Sequence, residues 1–202
     1  VHNCGEKPLP SGGSCLLSSL NLALYVNKNG EFDFETFDKD VREVVIYMND
    51  LLEEGIQYLP LAEQRISAER FKQLGIGIMG MADMFIKLKI RYGSSESLSL
   101  IHQIGRTMVN EALRQSALLA KEYGPFPRYK AEAVLNSPFL LSNVDEDVME
   151  LIKEYGLRNS QLLTIPPTGS ISTLIGCSNG VEPIFQVSYT RKSESLHYED
   201  TY

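Results

Sequence analysis

The chain has 202 residues, 43% of them hydrophobic, and a formal net charge of −7. That length supplies one globular domain with a core, or part of a larger one. The acidic balance and the scatter of Lys and Arg argue against a nucleic-acid backbone as partner. No apolar run approaches the roughly 18–20 residues of a membrane span. Three cysteines are an odd number, two of them in Gly/Ser-rich loops, so a reducing cytoplasm fits better than a secreted disulfide scaffold.

Val1-His2-Asn3 stands immediately before Cys4, and residues 4–15 read as loop, interrupted by prolines, glycines and serines. Gly5 between Cys4 and Glu6 lets the backbone turn tightly, so that thiol and carboxylate can share one small site. A carboxylate placed there can exchange a proton with a substrate hydroxyl. The plain alternative is a surface loop with an incidental thiol. Cys15 is followed by an apolar segment, and it is either an inert buried thiol or half of a redox pair with Cys4.

Leu16 to Val26 fits a helix or a buried strand, and Asn27-Lys28-Asn29-Gly30 is a turn signal. From Asp33 to Glu54 apolar residues recur at three- and four-residue steps, which predicts a helix with Gly55 as its C-cap. Further helices are expected over Leu61–Gln73, Met79–Leu88, Ser95–Tyr123 and Asp145–Tyr155. Gly124-Pro125-Phe126-Pro127 ends the long one, and Gly156 caps the last. Gln161–Ile165 is the best strand candidate and Phe185–Thr190 the second. Helices outweigh strands, as in an α/β fold whose sheet is completed by residues not in this chain.

Gly75-Ile76-Gly77-Ile78-Met79-Gly80 matches the dinucleotide pattern GxGxxG. The residues before it, Arg70 to Leu74, read as helix rather than strand, so close helix packing explains the glycines better. Pro166-Pro167-Thr168-Gly169-Ser170-Ile171-Ser172 reads as a strand end, a small-residue loop and a helix start. Free N–H groups there suit a phosphate, and an ordinary helix cap is the competing explanation. No Walker lysine follows. Gly176 to Pro183 is a turn-rich loop whose Glu182 is expected to be buried. Cys177 and the three scattered histidines lack metal-ligand spacing, so neither zinc nor any other metal is assigned to this chain.

Taken in order, Cys4–Pro10, Ser14–Leu22, Gly75–Asp83, Arg158–Leu163, Pro166–Ser172 and Gly180–Phe185 resemble the catalytic subunit of ribonucleotide reductases. The adenosylcobalamin-dependent class II type is nearest in flavour, and the similarity runs from Cys4 to about Arg191. The resemblance implies a ten-stranded α/β barrel, of which this chain supplies roughly the second half. It implies that Cys4, on a finger loop, becomes a thiyl radical that abstracts the 3′ hydrogen of a ribonucleotide. Glu6 is then the general base for the 3′-hydroxyl. Cys15 is one of two reducing thiols, its partner lying upstream, which displaces a Cys4–Cys15 bond. Pro167, Thr168, Gly169, Ser170 and Ile171 bind the substrate's phosphates.

The same resemblance implies a ribonucleoside di- or triphosphate substrate and a reductant of the thioredoxin or glutaredoxin type. It also implies dNTP or ATP effectors bound outside this chain, and the possibility of a homodimer. The radical comes from adenosylcobalamin or, in the class I alternative, from a metal-containing second subunit. Where the family has Asn-Pro before the cysteine, this chain has His2-Asn3. That departure reads as the tail of an intein over residues 1–3, ahead of barrel sequence over 4–202, with a simple substitution as the rival. These 202 residues alone are expected to be inactive. Two other classes stand against this reading: a dinucleotide-dependent oxidoreductase built on Gly75–Gly80, and a non-enzymatic orphan fragment.

Overall fold

The computed structural model describes residues 1–2, 4–186, 188, 190–192 and 199–201. Its centre is a parallel pair of strands, β1 (Leu16–Asn21) and β2 (Leu74–Met79), in register from Leu16↔Leu74 to Asn21↔Met79. The crossover between them carries a 3-10 turn (Leu22–Tyr25), α1 (Phe34–Ile56) and α2 (Ala62–Phe71). After β2 come α3 (Met81–Leu88), α4 (Ser95–Tyr123), α5 (Ala131–Leu135), α6 (Pro138–Asn143) and α7 (Glu146–Tyr155). The chain then returns along β2, enters α8 (Gly169–Ile175), and ends the described part with an antiparallel pair, β3 (Thr190–Lys192) and β4 (Glu199–Thr201).

The long helices form where their stripes demand it. In α1, Phe37, Val41, Val45, Met48, Leu52 and Ile56 are buried at three- and four-residue steps, and Asp33 accepts from the Thr36 N–H at 3.0 Å to cap the start. Those bonds from Thr36 hold the Asp33 carboxyl below its usual range. In α4, Ile104, Met108, Ala112 and Ala120 face the same core, Ser94 caps the start, and Gly124 ends the helix.

Several boundaries depart from expectation for identifiable reasons. Gly55 does not cap α1, because burial of Ile56 carries the helix past it to Gln57. The second helix stops at Phe71, and Lys72 turns left-handed at φ 45°, because Leu74 is claimed by strand pairing on both sides. Leu74 to Met79 is therefore strand rather than the run-up to a helix, and all six residues are buried. Gln161–Ile165 lies parallel beside β2: Leu74 N donates to Gln161 O at 2.9 Å, Ile76 N to Leu162 O at 2.8 Å, and Thr164 N to Ile76 O at 3.0 Å. That ladder amounts to one bridge, Ile76↔Leu163, rather than a full strand. Of the second strand candidate, Val187 and Tyr189 lie outside the described residues; Phe185 and Gln186 are not strand, and pairing begins at Thr190.

One face of this ribbon packs on the helices. Leu74 and Ile76 are fully buried there and Ile78 nearly so, with Leu16 and Leu20 against the same core. The other face carries Cys15, Leu17, Ser19, Gly75 and Gly77, as the two-residue period of a strand requires.

A polar knot ties the helices to the ribbon. Asn159, 1% exposed, donates to Asn49 Oδ1 and to the Lys72 carbonyl, both at 2.9 Å, and its own Oδ1 accepts from Ser116 Oγ at 2.9 Å. Asn159→Ala strands these buried partners. It is expected to cost roughly 2–4 kcal/mol, read as a lower midpoint in urea unfolding.

Candidate functional site

The site is built on the glycine face. Cys15 stands just before β1, and its sulfur hangs over Gly75: a Cβ there would meet Cys15 Sγ at 2.8 Å and Leu17 Cδ2 at 2.6 Å. A Cβ on Gly77 would meet the Thr164 carbonyl oxygen at 2.6 Å and Pro166 Cδ at 2.8 Å. The glycines of the GxGxxG string thus serve close approach, as expected, but inside a strand and not between helices. Only Gly80, at φ 70°, occupies the strand-to-helix turn that a dinucleotide fingerprint needs. The dinucleotide alternative therefore loses its structural context. Gly75→Ala must push both Leu17 and the Cys15 sulfur aside. The expected outcome is a loss of about 1–3 kcal/mol in thermal unfolding, together with a changed rate of Cys15 alkylation.

The Cys4 loop lies across the amino half of this face. His2 N donates to Lys7 O at 2.8 Å and Gly5 N to His2 O at 2.9 Å, a tight turn that presents Cys4, exposed, at its tip. Gly5 sits at φ 79°, which explains a glycine there. Two side chains hold the base of the turn to the sheet. Thr164 Oγ1 donates to the Glu6 carbonyl at 3.0 Å, and the Lys7 ammonium donates to the Leu74 carbonyl. The same ammonium lies 3.4 Å from Cys15 Sγ. The Glu6 side chain is 4% exposed and contacts Nδ1 of His2.

Lys7 and Glu6 bring the base of this loop beside Cys15, while Cys4 stands exposed at the loop's tip, and all three cysteines are free thiols. Burial pushes the Cys15 thiol up, and the neighbouring Lys7 ammonium opposes that rise. Burial pulls Lys7 down, partly offset by Cys15 and Glu6. Lys7 has no part in the sequence reading; its signal is a lone cation in a Gly/Pro-rich loop between the candidate catalytic residues Glu6 and Cys15.

The carboxyl edge of the ribbon gathers three helix starts. Asn21 caps the 3-10 turn through Ala23 N at 3.1 Å, Gly80 opens α3, and Thr168 opens α8. Thr168 is left-handed at φ 55°, an unfavourable conformation for a β-branched residue that costs on the order of 1–3 kcal/mol. Its hydroxyl does not cap α8; it accepts from Gly180 N at 2.8 Å. The 176–180 loop is fastened further by Ser172 Oγ to Asn179 Oδ1 at 2.6 Å, and by Ser178 N to Asp83 Oδ2 at 2.6 Å. The simple cap explanation for the Thr168 hydroxyl therefore fails. The N–H groups of Gly169, Ser170 and Ile171 open α8 without helical acceptors one turn back. Pro167, Ser170 and Ile171 are exposed.

Glu182 is exposed rather than buried, because the loop after Gly180 runs over the surface. Among the described residues no group of three or more His, Cys, Asp or Glu is placed to hold a metal ion, and no helix is long and apolar enough to cross a membrane. Asn3, on which the choice between intein tail and substitution turns, lies outside the described residues.

Comparison with known proteins places the sequence in a family. The family model described as ribonucleotide reductase, barrel domain, matches residues 3–200. The vitamin B12-dependent ribonucleoside-diphosphate reductase of Thermoplasma acidophilum is 34% identical over 95% of this chain and 22% of its own length. The ribonucleoside-diphosphate reductase large chain of Encephalitozoon cuniculi is 32% identical over 92% of this chain and 25% of its own. The B12-dependent enzyme of Mycobacterium tuberculosis is 30% identical over 98% of this chain and 26% of its own. The chain thus spans about a quarter of the length of the curated relatives it matches.

Proposed function

Because the chain belongs to the ribonucleotide reductase family, as part of its α/β barrel domain, we propose that it carries the thiol chemistry of a ribonucleoside di- or triphosphate reductase. The observation that supports this most is the docking of the Cys4–Lys7 loop beside Cys15 on the glycine face of a parallel ribbon whose carboxyl edge ends in the Thr168–Ile171 helix start. Net, a ribonucleotide and two thiols give a deoxyribonucleotide, a disulfide and water.

The residues divide the work as follows. Cys4, at the exposed tip of its turn, is the hydrogen-atom carrier: as a thiyl radical it takes the 3′ hydrogen and later returns it. Glu6, mostly withdrawn from water, accepts the 3′-hydroxyl proton. Cys15 is one of the two thiols oxidised in the cycle, the other lying on sequence upstream. Pro167 to Ile171 form the phosphate turn, in which the backbone N–H groups of Gly169, Ser170 and Ile171 donate to phosphate, with the Ser170 hydroxyl available as a further donor. The strained Thr168 backbone supports the phosphate assignment, since unfavourable conformations persist where a site needs them.

The radical source is proposed to be adenosylcobalamin, a reading supported by similarity to the vitamin B12-dependent reductases of Thermoplasma and Mycobacterium. When bound, that cofactor supplies the hydrogen-atom vacancy that reaches Cys4. Among the described residues we assign none to holding it, and the exposure of Cys4 suits a radical source held elsewhere, including the second subunit of a class I enzyme. The reductant is proposed to be a dithiol protein of the thioredoxin or glutaredoxin type, and the setting the cytoplasm. Val1-His2-Asn3 is proposed as an intein tail on the strength of those residues alone.

The test uses the full-length polypeptide with nucleotide and dithiol, with and without adenosylcobalamin. Cobalamin-dependent formation of deoxyribonucleotide is expected, together with its loss in Cys15→Ser when a dithiol protein is the reductant. Turnover that needs no cobalamin moves the assignment to class I. No reduction of any ribonucleotide under either condition overturns the reading.

A further inference from the structure

We propose that Lys7 is a positioning residue for Cys15: its buried ammonium fixes the sulfur above Gly75 and favours the thiolate when the thiol pair is turned over. The inference rests on the reading of Cys15 as a reducing thiol.

Four observations carry it. Lys7 is 2% exposed, an unusual place for a lysine, and burial of a charge is tolerated only with a partner. Its Nζ lies 3.4 Å from Cys15 Sγ, within the range of a contact to sulfur. The Leu74 carbonyl accepts from the same Nζ, which pins the ammonium at the amino end of β2. Gly75 leaves the room that the sulfur occupies. The ammonium, the carbonyl and the glycine thus define one orientation for the thiol.

The electrostatic neighbourhood is small. Lys7 and Glu6 are the charged groups facing Cys15 from the loop, and His2 lies behind Glu6. The strand neighbours Leu17, Gly75 and Thr164 are uncharged. Burial alone disfavours a thiolate there, and Glu6 adds to the penalty, so Lys7 is the opposing charge.

The chemistry that needs this is re-reduction. A dithiol reductant attacks the partner sulfur of the oxidised pair, and the Cys15 sulfur leaves with the electron pair as a thiolate. A second exchange within the mixed disulfide frees the partner thiol and oxidises the reductant to its disulfide. Two electrons and two protons pass to the protein in total. A positive charge 3.4 Å from the leaving sulfur stabilises it as that bond breaks.

The experiment measures iodoacetamide alkylation of each cysteine against pH in the full-length polypeptide, resolved by peptide mass spectrometry. Lys7→Gln keeps a donor for the Leu74 carbonyl but removes the charge; Lys7→Arg keeps the charge. Lys7→Gln is expected to slow Cys15 alkylation at pH 7 about tenfold, a one-unit rise in its titration midpoint, with Lys7→Arg close to wild type and Cys177 unchanged in both. A Cys15 midpoint that does not move in Lys7→Gln overturns the proposal, as does an equal slowing in Lys7→Arg. Dithiol-driven turnover of Cys15→Ser is read separately. If it persists, the reductant assignment falls while the alkylation profile still decides the pairing.

Discussion

Serine in place of Cys4 is expected to abolish deoxynucleotide formation by the full-length polypeptide, lowering turnover by roughly three orders of magnitude or more. The change replaces one atom. Its cost lies in the chemistry, because an O–H bond is much stronger than S–H and the hydroxyl is not converted to a radical by the same source. Folding is expected to survive, since Cys4 is exposed at the tip of a turn held by backbone bonds at His2, Gly5 and Lys7. Near-wild-type thermal unfolding alongside lost turnover is the expected pair of results. Retained turnover would remove Cys4 from the reaction and leave the loop a structural feature.

Glu6→Gln should lower the maximal rate by about 10²–10⁴-fold, the usual worth of a positioned acid–base group. The amide is nearly the same size and fits the same pocket, so the Glu6 backbone contact with Thr164 Oγ1 survives. The loss is expected in kcat, with KM little changed, because phosphate binding is assigned to the other end of the site. A carboxylate that only holds His2 would behave differently. Its amide variant would lose stability and keep its rate, and a chemical denaturation curve beside the kinetics separates the two.

The long helices are legible because each declares itself locally. The stripe from Phe37 to Leu52 and the run from Ser95 to Tyr123 needed no knowledge of their neighbours. The short helices α5 and α6 were not foreseen: each spans one or two turns, too little for a periodic signal. β2 was missed for a related reason. Leu-Gly-Ile-Gly-Ile-Met is buried on both faces, and its glycines weaken every local strand signal. Their purpose appears only when Thr164 and Cys15 arrive from positions far apart in the chain.

The candidate residues divide in the same way. Cys4, Glu6 and Cys15 stood out from their motifs, since a tight loop of Cys-Gly-Glu announces its chemistry within three residues. Family membership was equally readable, because ordered motifs survive in one dimension. Two things waited for three dimensions: the ammonium of Lys7 beside the Cys15 sulfur, and the Thr168 hydroxyl turned from its own helix to Gly180. Residue type and spacing govern bonds between near neighbours along the chain. Contacts between a loop at residue 7 and a strand at residue 74 exist only after the parallel ribbon has closed, when burial leaves each charge and hydroxyl the few partners within its reach.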